Sequence, residues 1–115
     1  MMKFIVDMKL DNWNTIINRN RYNRYSANSY KKAEMDAISV FLEEIPKITN
    51  YPVKMVFKWH VKRLNCDLDN KSIKSLLDCM QHVGILENDD IKHISQITHI
   101  AVKDEKEFVE VEILW

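Results

Sequence analysis

The sequence predicts an α/β chain of the α+β type: a single domain with one mixed four-stranded sheet and two main helices, in the order β-α-β-α-β-β. Three observations predict it. The chain has 115 residues, the size of one ordinary domain. Several short stretches alternate apolar and polar residues, the two-residue period of a half-buried strand. Two longer stretches repeat apolar residues at helical spacing, and one sheet covered by helices buries both kinds of face.

Residues 3–10 read as a short strand, with Phe4, Val6, Met8 and Leu10 on one side. Residues 11–27 are rich in Asn, Arg and Tyr, lack long apolar periodicity and read as a loop, long enough for a binding role. From 28 to 45, Tyr30, Ala33, Ala37, Ile38, Phe41 and Ile45 recur at helical spacing until Pro46 stops the helix. That stripe reads as core. Residues 51–63 give the clearest strand, Val53, Met55, Phe57, Trp59 and Val61 alternating with Lys54, Lys58, His60 and Lys62. Its apolar face packs on the first helix, and its other face is cationic, either solvated or turned to a polyanion. A second helix follows Asn70 and runs to about Val83, with Ile73, Leu76, Leu77, Met80 and Val83 as its apolar face. Asp69 or Asn70 caps its start, and Gly84, the only glycine, stands where a left-handed residue ends a helix. Residues 93–102 and 107–114 read as two strands around the turn Asp104-Glu105-Lys106.

Composition narrows the function classes. Hydrophobic residues at 46% exclude a disordered chain, and a single glycine excludes a glycine-rich phosphate loop. No apolar run approaches the roughly 18 residues of a membrane span, and Asp7 interrupts the start before a signal-peptide core forms. Cys66 and Cys79 show neither zinc spacing nor a disulfide framework, so the expectation is a cytoplasmic protein with reduced thiols and no membrane partner. His60, His82, His93 and His99 form no metal motif and read as structural. The formal charge is zero, from 17 basic and 17 acidic residues, which at first disfavours nucleic acid. Resolved along the chain, residues 1–65 carry a net +6 and residues 66–115 a net −6. Such asymmetry points to a charged partner or site. The densest basic stretch holds Arg19, Arg21, Tyr22, Arg24 and Tyr25, extended by Lys31 and Lys32. Cations with interleaved tyrosines suit a phosphate backbone and stacked bases, and a solvated loop leading into a helix is the plain alternative.

The acidic half carries the chemistry. Asp67 and Asp69 are two apart in an extended segment, so their carboxylates project to one side, just before a helix N-terminus. A return of the chain after Gly84 brings Asp89 or Asp90 beside them. Three converging carboxylates need a cation, and hard oxygen ligands with retained waters suit Mg²⁺, with Mn²⁺ as a substitute. Lys74 lies about one turn inside the helix, where it reaches a phosphate, and Asp78 follows four residues later on the same face. The bland alternative is that Asp69 caps the helix, Lys74 pairs with Asp78, and Asn88-Asp89-Asp90 is a turn.

Asp67-Leu68-Asp69-Asn70, a helix carrying Lys74 and Asp78, then Gly84 and the acidic turn, resembles the RusA-type Holliday junction resolvases. The basic stretch before Lys31-Lys32, and Lys62-Arg63 at the end of the strand, resemble the phage members of that family. The resemblance implies a homodimeric endonuclease of a bacterial or phage-infected cell that cuts branched DNA with Mg²⁺. It implies metal ligation by Asp67, Asp69 and Asp89, with Asp90 and Asp78 as further candidates near the metal. It implies catalysis by the same three aspartates and Lys74, with Lys71 the other lysine near that place. DNA contacts fall to Arg19, Arg21, Tyr22, Arg24, Tyr25, Lys31, Lys32, Lys62 and Arg63. The other function class is a non-catalytic nucleic-acid-binding or interaction module of the same fold.

Overall fold

A computed structural model describes residues 1–10, 24–65, 68, 71 and 73–115, with side chains from Lys32 onward in the helix that begins at 24. The described elements are β1 (Met2–Val6), α1 (Arg24–Leu42), β2 (Val53–Val61), α2 (Lys74–His82), β3 (Ile94–Lys103) and β4 (Phe108–Leu114). Their order is the expected β-α-β-α-β-β, and the sheet is mixed, with strands arranged β1-β4-β2-β3. β4 runs antiparallel to both β1 and β2, while β2 and β3 are parallel. A parallel pair cannot close through a tight turn, so the chain between β2 and β3 crosses over by way of α2. Along β1 and β4 the register runs from Met2 opposite Ile113 to Val6 opposite Val109.

One face of the sheet holds the core. Phe4, Val6, Met55, Phe57, Val109, Val111 and Ile113 are buried there with Ile38 and Leu42 of α1 and Leu76 and Met80 of α2. Each fully buried side chain of this size removes apolar surface worth ~1.5–3 kcal/mol, which explains why the alternation in β2 and β4 is so regular. Ser75 of α2 donates to the Glu34 carboxylate of α1 at 3.2 Å, tying the two helices at their margin.

Several boundaries differ from the sequence expectation. β1 leaves the ladder at Val6, yet Leu10 is buried and Met8 packs on the core, so the alternation over 3–10 reports burial beyond the paired segment. α1 begins at Arg24, taking in residues expected in the loop, and ends at Leu42. Ile45 keeps its place against the core through a turn, its N–H bonded to the Leu42 carbonyl at 3.1 Å. α2 starts only at Lys74, with Ile73 in the capping position and no side-chain cap bond there, in place of the expected Asp69 or Asn70 cap. At its other end Gly84 has φ +88°, as expected. The Ile85 N–H reaches back to the Met80 carbonyl at 2.9 Å and the Gly84 N–H to that of Gln81 at 3.2 Å, the paired bonds of a Schellman ending.

The opposite face of the sheet is ionic. Glu112 pairs with Lys58 at 3.1 Å and Lys3 at 3.4 Å, and His60 lies between Asp104 (2.9 Å) and Glu110 (2.8 Å). Lys58 of β2 there meets Glu112 of β4, and the His60 ring is held by Glu110 of β4 and by Asp104 of the turn before it. Among the described residues, no helix is long and apolar enough to cross a membrane.

Candidate functional site

α2 buries Ser75, Leu76, Leu77, Cys79 and Met80, which leaves Lys74 and Asp78 side by side on its outer face. Lys74 Nζ stands 3.3 Å from Asp78 Oδ1 and 4.0 Å from Asp89 Oδ2, so two segments separated by the helix and Gly84 deliver carboxylates to one ammonium. The Asp78 contact alone fits the bland reading of a surface pair. The Asp89 contact does not follow from that reading, because it requires the return of the chain after α2.

The turn that carries Asp89 is built by its neighbours. Asn88 Oδ1 accepts the Asp89 N–H at 2.8 Å, and Asn88 Nδ2 points at Asp90 Oδ2 at 3.4 Å. Asp90 faces the other way: its Oδ1 accepts from His93 Nδ1 and from the His93 backbone N–H at 3.2 Å. These bonds, the side-chain one foremost, hold the Asp90 carboxyl below the usual carboxylate range. The two adjacent aspartates left open as alternatives by the sequence are therefore unequal in space.

Asp67 and Asp69 lie outside the described residues, as do Arg19, Arg21, Tyr22 and Cys66, and so do the side chains of Arg24, Tyr25 and Lys31. Among the described residues no three metal-ligating side chains gather into a cation site. Lys71 sits apart from Lys74, its Nζ 5.9 Å from the Trp59 ring centroid, where a cation rests over an aromatic face. That placement separates the two lysines named as catalytic candidates. Lys32, Lys62 and Arg63 are exposed, and Lys103, opposite Val61 in the register, joins Lys62 in lining one recess with Asp104 and Glu105.

Lys103 is not singled out by the sequence, and His93, expected to be structural, holds the turn beside Asp89. The signal for His93 was present, an Asp at i and a His at i+3 bracketing a turn. His99 is structural: it accepts the Trp59 indole N–H at Nδ1, 2.8 Å away, and burial pushes its pKa down, which keeps that nitrogen an acceptor. Burial, with a smaller contribution from Asp36, pushes the Cys79 thiol up, so it is a packed group whose Sγ lies 3.3 Å from the Met35 carbonyl. In comparisons with known proteins, no protein-family model and no curated sequence matches this chain.

Proposed function

We propose that this chain is a Mg²⁺-dependent, structure-selective endodeoxyribonuclease that resolves four-way DNA junctions as a cytoplasmic homodimer. The observation that carries the reading is the meeting of Lys74 and Asp89 at the outer face of α2, since the RusA-type pattern requires that lysine and that aspartate at one site. The donors fit the cation in kind: Asp89 and Asp78 offer hard carboxylate oxygens on a partly exposed surface, where a cation keeps some of its waters.

In this reading Asp67, Asp69 and Asp89 hold the metal. Bound Mg²⁺ supplies an activated water and offsets charge on the phosphoryl oxygens. Asp78 keeps the Lys74 ammonium beside Asp89, at the place where a scissile phosphate gains negative charge. Lys74 gives that phosphate a fixed positive partner, strongest when the charge is fully developed. Exposed Lys32, Lys62 and Arg63 hold flanking phosphates.

A synthetic four-way junction tests the proposal. The expected result is Mg²⁺-dependent paired nicking, by a species with the solution mass of two chains. Asp67→Asn and Asp69→Asn abolish nicking while junction binding persists. Asp89→Asn, which removes the third ligand, abolishes nicking likewise, and Lys74→Ala slows it by roughly 10²–10³-fold, the usual cost of removing one transition-state contact. Junction binding without cleavage in Mg²⁺ or Mn²⁺ would instead identify a non-catalytic binding module.

A further inference from the structure

Asp89 and Asp90 are adjacent carboxylates of one turn, and the fold treats them differently: Asp89 lies 4.0 Å from the Lys74 ammonium, whereas Asp90 is taken up by His93. Asp90 is occupied on both its side chain and its backbone. Its Oδ1 takes the two His93 donors, and its carbonyl accepts the N–H groups of His93 at 3.0 Å and Ile94 at 2.9 Å. His93 is itself anchored. Its carbonyl accepts the Val53 N–H at 2.8 Å at the start of β2, and its ring meets Tyr51 edge to face at 4.8 Å. The Tyr51 hydroxyl in turn accepts the Glu87 N–H at 3.0 Å, so both ends of the turn that displays Asp89 are pinned to the segment entering β2.

We propose that His93 is a positioning residue for this site: by holding Asp90 inside the turn, it leaves Asp89 as the carboxylate presented to Lys74 and to the cation. The chemistry of the proposal rests on the nuclease reading, but the geometry does not. Without the imidazole, Asp90 loses its His93 side-chain donor and keeps only the longer contact from Asn88, and the turn loses the ring contact on Tyr51, so Asp89 spends less time in the ligating position. The cost falls on cation affinity, as it does when a group supporting a metal ligand is removed.

Three substitutions separate positioning from packing. In His93→Asn the amide nitrogen stands where Nδ1 stands and still donates to Asp90. In His93→Gln the amide nitrogen reaches the place of Nε2, and in His93→Ala there is no donor. For each, the half-saturating Mg²⁺ for junction nicking, the rate at saturating Mg²⁺, the thermal midpoint, and Mn²⁺ affinity from paramagnetic broadening of the Asp89 amide are measured. The expected result is a rise of about 10-fold or more in half-saturating Mg²⁺ for Gln and Ala. For Asn the expected rise stays within about threefold, and for all three the larger effect is on metal affinity, not on the saturated rate. Equal affinities in Asn and Gln, or a change confined to the thermal midpoint, would overturn the proposal, and this comparison stands even if His93→Ala fails to fold. A wild-type chain that binds Mn²⁺ without nicking DNA overturns the nuclease reading alone, and the Mn²⁺ affinities of the variants then decide the role of His93. A wild-type chain that binds no Mn²⁺ overturns both.

Discussion

At Gly84 the backbone takes φ +88°, and beyond the residue and its two chain neighbours no heavy atom lies within 4 Å of where a Cβ would stand. A side chain there meets space but not a comfortable backbone, so Gly84→Ala is expected to cost about 1–2 kcal/mol through conformation alone. Urea unfolding checks this, and an unchanged midpoint would contradict it. The same residue shows what a single sequence makes legible. A lone glycine after an apolar helical stripe has one physical use, and it is found in that use. Asp89, Lys74 and Asp78 were legible as an acidic and basic cluster because helix spacing and a chain reversal suffice to place them. The division of labour between Asp89 and Asp90 was not. It depends on which carboxylate a histidine three residues later captures, and neither charge nor hydropathy distinguishes neighbours of the same type.

Among the elements, β2 and β4 were readable almost to their ends because alternate residues are wholly buried and each change of face costs apolar burial. Boundaries failed where burial and hydrogen bonding part company. Leu10 is buried outside a strand, Ile45 reaches the core from a turn, and α1 starts in residues with no apolar period. The β3–β4 turn illustrates a bond that no pattern announces. Asp104 holds the His60 ring from the turn while Glu110 holds it from β4, and the ring stacks on Phe108 with centroids 3.9 Å apart. The bond from His60 pulls the Asp104 carboxyl below its usual range, so its contribution to stability is complete above that range. It is lost as pH falls through the depressed value. Wild type is therefore expected to be more stable than Asp104→Asn near neutrality, with the difference shrinking as acid is added, measured by thermal unfolding across pH. A difference that grows in acid would contradict the assignment.

For the whole molecule, the formal neutrality of the sequence resolves into regions with separate tasks. On the open sheet face Glu112 pairs with Lys58 and Lys3, while Lys62 and Lys103 gather at one end of the parallel pair β2–β3. If that end grips phosphates, the double substitution Lys62→Ala with Lys103→Ala lowers the slope of log K against log salt by about 2. Junction binding titrated between low and moderate salt measures it, and an unchanged slope would place the DNA elsewhere. Because Met2 sits opposite Ile113 in an antiparallel ladder, tension applied across the two ends of this domain falls on one terminal pair of strands. The inter-strand bonds then open one after another, like a zipper, since each lies along the pulling direction instead of sharing a shear. The fold should yield at low force, with β1 peeling from β4 before the parallel pair that lies beyond it feels the pull.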